Sequence, residues 1–339
     1  MKLAIIGSGK IVHEAVPALR ENPAIEITAL CVRPQSAEKG SELAAQFGVP
    51  RVFTDYDALL ASDAADTVYI AVINPLHYSY ALRAIQARKH VILEKPLCVT
   101  AEEARGLEQA VASAGDVYLY EAVTCRHTPV FHQLRDKLPQ IGRIWLVQAN
   151  YSQYSSRYDD YLRGIVRPAF DPAAFGGALY DLNVYNIQLV AALFGAPPER
   201  PDAVTYTANR GFNGVDTSGC LVLGYDGFTA VLTAAKDCDG PCATVLQGEK
   251  GWIRIPGKIN ELASLELCTG SSLKFRTDAS DTAAVGSAIG GTSESWRRMV
   301  PEFQEFERNI REGRYDEMRA DLAVSVSVVG VIERALQHS

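Results

Sequence analysis

The hydrophobic pattern has two textures that change near residue 122. In the first, short apolar runs alternate with stretches of helical spacing. Leu3–Gly7, Ile25–Val32, Thr67–Ile73, His90–Leu93 and Val117–Tyr120 read as strands. Between them, Ile11–Arg20 keeps Ala15 and Leu19 at helical spacing, and Ser36–Phe47 is a helix that Gly48 would cap. Thr100, with Glu103 three residues on, forms a capping box for a helix running to Ala114. Strands this apolar are buried on both faces. Alternating with helices, they predict a parallel sheet wound by right-handed crossovers, a Rossmann-type domain.

From about residue 142 the strands follow one another directly. Ile144–Gln153, Ala203–Asn209, Gly219–Gly224, Thr229–Ala235, Ala243–Gln247, Gly251–Ile255, Leu265–Cys268 and Leu273–Thr277 carry the pattern. Turn signals join several of them: Asp226-Gly227, Gly248-Glu249-Lys250-Gly251 and Gly270-Ser271-Ser272. Helices interrupt this sheet at Ala178–Phe194 and end it at about Ser295–Glu312 and Asp321–Leu336. The expected fold is α/β. A doubly wound parallel sheet occupies residues 1–122, and an α+β domain with a large, mostly antiparallel open sheet occupies residues 123–339. Gly286–Gly291 is the one flexible-looking stretch.

Composition narrows the function classes. A chain of 339 residues is long enough for two cores, and 47% hydrophobic with 22% charged residues fits a soluble globular protein. A net charge of −7 argues against a nucleic-acid surface. No apolar run approaches the roughly 20 residues of a membrane helix. Met1-Lys2 leads straight into the first strand, so no signal peptide is expected. Seven scattered cysteines without a CxxC pair suit reduced thiols in a cytoplasm. Cys238 and Cys242, beside Asp237 and Asp239, lack identifiable further ligands, so a plain loop rather than a metal site is expected there.

Four segments carry candidate chemistry. Gly7-Ser8-Gly9-Lys10-Ile11-Val12 sits between the first strand and helix, where glycines allow close approach to a pyrophosphate and the helix terminus favours its charge. Val12 replaces the third glycine of the usual fingerprint. The second strand ends in Cys31-Val32-Arg33-Pro34, without the carboxylate that holds the ribose of NAD. With Arg33, Ser36 and Lys39 nearby, a 2′-phosphate and hence NADP is favoured over NAD; otherwise Arg33 stacks on the adenine. Glu94-Lys95-Pro96 follows a parallel strand, so Lys95 faces the ligand crevice of an open α/β sheet. Gly176-Gly177 opens a helix with Asp181 and Tyr185 four residues apart on one face, and Gln188 extends it. This is either a catalytic face or an amphipathic helix with a half-buried tyrosine.

Together these segments resemble the Gfo/Idh/MocA oxidoreductases (glucose-fructose oxidoreductase and inositol dehydrogenase among them) over nearly the whole chain. Glu302-Phe303-Gln304-Glu305-Phe306 near the end adds to the likeness. A narrower likeness, to the dihydrodiol and xylose dehydrogenase branch, rests on Glu121-Ala122, Arg126, Pro129 and Arg167; Tyr185 stands where other branches carry His. Asn183 departs from the pattern where Gly is usual, and could reshape the substrate pocket.

The resemblance implies a dehydrogenase or reductase using NADP or NAD, with Lys95 and Tyr185 in the acid–base role and Asp181 on a substrate hydroxyl. It implies that Ile73, Asn74 and His77 line the cofactor, and that Glu94 and Glu121 flank its nicotinamide side. A sugar, inositol or other polyol, or a diol, is the implied substrate class, and a homodimer or homotetramer through the open sheet the implied assembly. Arg126, Tyr154, Arg163 and Asn183 are the candidate substrate residues. Tyr154 and Arg163 belong to a polar-aromatic cluster with Tyr151, Arg157 and Tyr158 that suits a polyhydroxylated ring or a subunit interface. The alternative is a regulator that keeps the fold and has lost the chemistry. Retention of Lys95, Asp181 and Tyr185 argues against it, and the same residues disfavour a biliverdin-reductase-like enzyme.

Overall fold

The computed structural model describes residues 1–277 and 295–337; Gly286–Gly291 lies outside them. The elements of the amino-terminal part are β1 (Lys2–Ile6), α1 (Lys10–Arg20), β2 (Glu26–Cys31), α2 (Ala37–Gln46), β3 (Arg51–Phe53) and α3 (Tyr56–Leu60). Next come β4 (Thr67–Ile70), α4 (His77–Gln86), β5 (His90–Glu94), α5 (Ala101–Ala114) and β6 (Leu119–Ala122). After α6 (Pro129–Lys137), β7 (Ile144–Ser152), α7 (Tyr158–Leu162) and α8 (Val184–Phe194) follow β8 (Val204–Arg210), β9 (Asp216–Tyr225) and β10 (Phe228–Ala235). Then come β11 (Ala243–Gly248), β12 (Gly251–Pro256), β13 (Glu266–Thr269), β14 (Ser272–Arg276), α9 (Val300–Arg311) and α10 (Tyr315–Gln337). The chain forms two compact units.

The first unit is a six-stranded sheet of order β3-β2-β1-β4-β5-β6. All its pairings are parallel, the doubly wound arrangement that the apolar runs predict. Leu3–Ile6, Val68–Ile70 and Val91–Leu93 are each at most 2% exposed, as strands covered on both faces must be. The Thr100 capping box forms, and Gly115 ends α5 in the left-handed region at φ +78°. β3, at three residues, is too short to show a period.

α9, and α10 as far as Val326, cluster with residues 1–122 rather than with the second domain. The apolar side of α9 explains this. Phe303 meets Tyr69 of β4 edge-on at 5.6 Å, and Phe306 stacks on Tyr120 of β6 at 4.3 Å, both phenylalanines fully buried.

The second unit is an eight-stranded sheet of order β14-β13-β12-β11-β7-β10-β9-β8. Every neighbour is antiparallel except β7 and β10, which pair in parallel. Burial alternates along the strands. Val147, Ala149, Leu221, Leu223, Leu232 and Ile253 point into the core, where α8 packs on β7 and β10. Gln148, Val222, Val231 and Val245 alternate with them on the less covered face. No helix among the described residues is long and apolar enough to cross a membrane.

Candidate active site

In the first unit the strand ends at β1 and β4 frame a cavity of about 490 Å³. Gly7 turns the chain there at φ +123°, and its N–H donates to the Cys31 carbonyl at 2.9 Å. A Cβ on Gly7 would stand 2.3 Å from the Ala71 carbonyl oxygen, so only glycine fits. Gly9 differs. Its φ is an ordinary −77°, and a Cβ there would meet no atom within 4 Å. Its bareness has no packing cause, while α1 starts beside it without a side-chain cap. Uncapped first-turn N–H groups next to open space accept an anion, so a dinucleotide pyrophosphate fits this turn.

Gly7, Ser8, Gly9, Ile11, Arg33 and Ile73 share this cavity. Lys10 is exposed outside it, and Asn74 opens a short 3₁₀ turn beyond Ile73. Arg33 and Lys39 bring positive charge, and no carboxylate is among the lining residues. Lys39 Nζ donates to the Ser8 carbonyl at 2.7 Å, tying α2 to the glycine turn. Val32, 5% exposed, packs where α2 comes close at Gly40; a Cβ on Gly40 would lie 2.6 Å from a Val32 methyl. Cys31 also lines the cavity, but burial pushes its thiol up to about 11, so it stays protonated and unreactive near neutral pH.

Lys95 is half-buried at the carboxyl end of β5, and the Lys95-Pro96 peptide is cis. Three residues expected to line the cofactor make hydrogen bonds to the protein around this turn. His77 is fully buried, with Nδ1 2.7 Å from the Pro96 carbonyl and Nε2 3.2 Å from that of Val72. Burial holds its pKa below the usual histidine range. Glu121, 1% exposed, accepts from the Leu97 N–H at 2.8 Å. Glu94, 8% exposed, accepts a hydrogen bond from the Tyr69 hydroxyl, and burial raises its carboxyl above the usual range. All three are taken up by protein because the polar groups of a buried turn need partners.

In the second unit Gly177, at φ +111°, leads into the helix. A Cβ there would overlap the Asp216 carboxylate, and one on Gly176 would lie 2.4 Å from the Pro168 carbonyl oxygen. Asp216, 6% exposed, accepts from the Leu179 N–H at 2.7 Å and the Tyr206 hydroxyl at 2.6 Å, so it caps the helix start. Burial raises its carboxyl despite those bonds. Leu179–Asn183 then form a π-helical turn before α8 continues. Such a turn is rare and is frequent at functional sites. It carries Asp181, whose carboxylate lies 2.9 Å from Lys236 Nζ, and α8 carries Tyr185, whose ring is 6.0 Å from that of Tyr151.

The remaining expectations divide. Asn183 is fully buried and donates to the Leu232 carbonyl at 3.1 Å while accepting from Asn186 at 2.9 Å. It therefore fastens the helix to β10. Arg126 is 3% exposed in a short turn before α6. Tyr154 donates to Asp159 and Arg163 pairs with Asp160, each at 2.7 Å, so both are engaged around α7.

Residues 1–122 match the oxidoreductase family with the NAD-binding Rossmann fold, and residues 137–254 match the GFO/IDH/MocA C-terminal domain. The NADP-dependent scyllo-inositol 2-dehydrogenase IolU of Bacillus subtilis is 37% identical, over 75% of this chain and 76% of its own. The chain belongs to the Gfo/Idh/MocA oxidoreductases. The trans-1,2-dihydrobenzene-1,2-diol dehydrogenase of Xenopus tropicalis is 29% identical over 99% of this chain and 97% of that protein. In fold, the chain is similar to a levoglucosan dehydrogenase solved with NADH and levoglucosan, at TM-score 0.81 and 21% identity, covering 100% of this chain and 98% of that one.

For a Gfo/Idh/MocA oxidoreductase, the sequence left two prominent groups unread. Asp216 and Lys236 reach the helix from β9 and from the end of β10, across large sequence separations that no local pattern bridges. Lys236 did carry a signal. It is a charge placed directly after a strand, as Lys95 is, but only the parallel sheet has a topological rule for that position. Tyr56 and Tyr80, stacked at 4.6 Å in the cavity wall, were also missed.

Proposed function

We propose that this oxidoreductase transfers hydride between NADP(H) and a secondary alcohol or carbonyl of a small polyhydroxylated ring, a sugar, an inositol or a related diol. The observation that carries the reading is the π-helical turn that presents a half-exposed Asp181, held in an ion pair, one helical turn before Tyr185. A regulator has no need of a carboxylate and a phenol held in this way. The scyllo-inositol, dihydrodiol and levoglucosan activities named for the similar proteins support the substrate class. The carboxylate-free cavity with Arg33 and Lys39 supports NADP, because a 2′-phosphate there meets positive charge and no repulsion.

When bound, the nicotinamide supplies or accepts the hydride. The protein's share is the proton. Tyr185 exchanges it with the substrate oxygen, Lys95 stabilises the negative charge that develops, and Asp181 accepts a hydrogen bond from a substrate hydroxyl. Seven cysteines, all as free thiols, suit a reducing cytoplasm. The half-exposed valines on the open face of the eight-stranded sheet support a homodimer or homotetramer built on that face.

The test is NADPH absorbance against scyllo-inositol, levoglucosan, a trans-dihydrodiol and their keto forms. Lys95→Ala and Tyr185→Phe should each lower kcat by roughly 10²–10⁴-fold, and the double variant should be little worse than the slower single. Silence of the wild type across the panel, or full activity of Lys95→Ala, refutes the reading.

A further inference from the structure

Lys236 is the most deeply buried lysine among the described residues, with 1% of its side chain exposed. An ammonium is strongly hydrated in water, and taking it into a protein interior is costly unless partners replace that hydration. Here three do. Asp181 Oδ2 lies at 2.9 Å, the Ala169 carbonyl accepts a hydrogen bond from the same nitrogen, and the Phe170 ring centroid is 4.4 Å away. The three partners sit on two different pieces of chain. Asp181 is on the π-helical turn, while Ala169 and Phe170 belong to the 3₁₀ turn Pro168–Phe170. The Ala169 carbonyl also accepts from the Gly177 N–H at 3.1 Å, so this turn is fixed to the helix entry from two directions.

Asp181 keeps 39% of its side chain exposed while one oxygen is held from below by a buried cation. That is the arrangement of a carboxylate that is oriented by the protein and reachable by a ligand. A surface lysine could not do this, since an exposed pair is screened and its long side chains sample many geometries.

We propose that Lys236 is a positioning residue for the reaction: it clamps Asp181 against the Pro168–Phe170 turn, so that the carboxylate meets a substrate hydroxyl in one orientation. This rests on the reading above, in which Asp181 engages the substrate. The clamp acts on the oxidoreductase chemistry only through Asp181, which makes it separable from a general contribution to folding.

The experiment measures kcat and KM with the best substrate of the panel for wild type, Lys236→Met, Lys236→Gln, Lys236→Arg, Asp181→Asn and the Asp181→Asn/Lys236→Met double variant, each checked for a cooperative thermal melt. Losing a hydrogen bond between charged groups at Asp181 predicts a fall in kcat/KM of roughly 10–100-fold for Lys236→Met and Lys236→Gln. Lys236→Arg keeps the charge and should recover most of that loss. In the Asp181→Asn background Lys236→Met should cost nothing more, because a group acting through another is silent once its partner is changed. Should Lys236→Met not melt cooperatively, Lys236→Gln decides, since it retains a donor for Ala169. Wild-type kcat/KM in a folded Lys236 variant, or losses that multiply in the double, overturn the proposal while leaving Asp181 in place. Full activity in Asp181→Asn overturns the assignment of Asp181 itself.

Discussion

The two glycines of the first turn make opposite predictions, although the sequence motif treats them alike. Gly9→Ala places a methyl where no atom lies within 4 Å, at a φ of −77° that alanine adopts freely. Losing glycine's unfolded-state freedom stabilises by about 0.4–1 kcal/mol. Alanine is a poor residue at a helix N-cap, which costs about 0.5–1 kcal/mol relative to glycine. The two nearly cancel, so the melting temperature should move by less than about 4 °C. Cofactor affinity should not survive so well. A methyl in the space left for the pyrophosphate displaces at least one hydrogen bond to a charged group, weakening NADPH by roughly 10–100-fold. Gly7→Ala instead combines a left-handed backbone with a 2.3 Å approach to the Ala71 carbonyl oxygen, and should destabilise by about 2–6 kcal/mol. Calorimetry with NADPH fluorescence titration separates the two. A Gly9→Ala protein that binds NADPH like wild type would mean the pyrophosphate does not lie on this turn, and one that melts much earlier would show a packing role the geometry denies.

Arg33→Ala should weaken NADPH by about 1.5–3 kcal/mol and NADH far less, read by titrating both cofactors; equal affinity of the wild type for the two refutes the preference. Glu94→Gln tests the buried carboxyl beside Lys95. A raised folded-state pKa contributes stability that is present below the ordinary carboxylate range and lost as pH rises through the raised value. The variant should therefore melt higher than wild type at alkaline pH and converge with it only below the ordinary carboxylate range, and a gap that widens in acid reverses the sign. For assembly, sedimentation at micromolar concentration should show a dimer or tetramer, and a monomer excludes association through the open sheet.

Both sheet classes follow from period, whereas β3, α3 and α7, at three to five residues, are too short to show one. An apolar strand followed by a helix cannot hide both its faces except in a parallel sheet, and alternating strands joined by Gly turns cannot avoid an antiparallel one. The positions of the glycine turn, Lys95 and the Asp181–Tyr185 pair at the ends of elements were legible for the same reason, since each is a local pattern. What each buried polar group does was not legible. His77, Glu94, Glu121 and Asn183 look in sequence like ligands, and only the folded chain shows their polar atoms bonded to protein. The placement of α9 turned on two rings finding Tyr69 and Tyr120 across more than 180 residues. Lys236 and Asp216 likewise gain their partners only when β9 and β10 lie beneath the helix. Local chemistry is written in neighbouring residues, whereas desolvation and pairing belong to groups that the chain brings together from far apart.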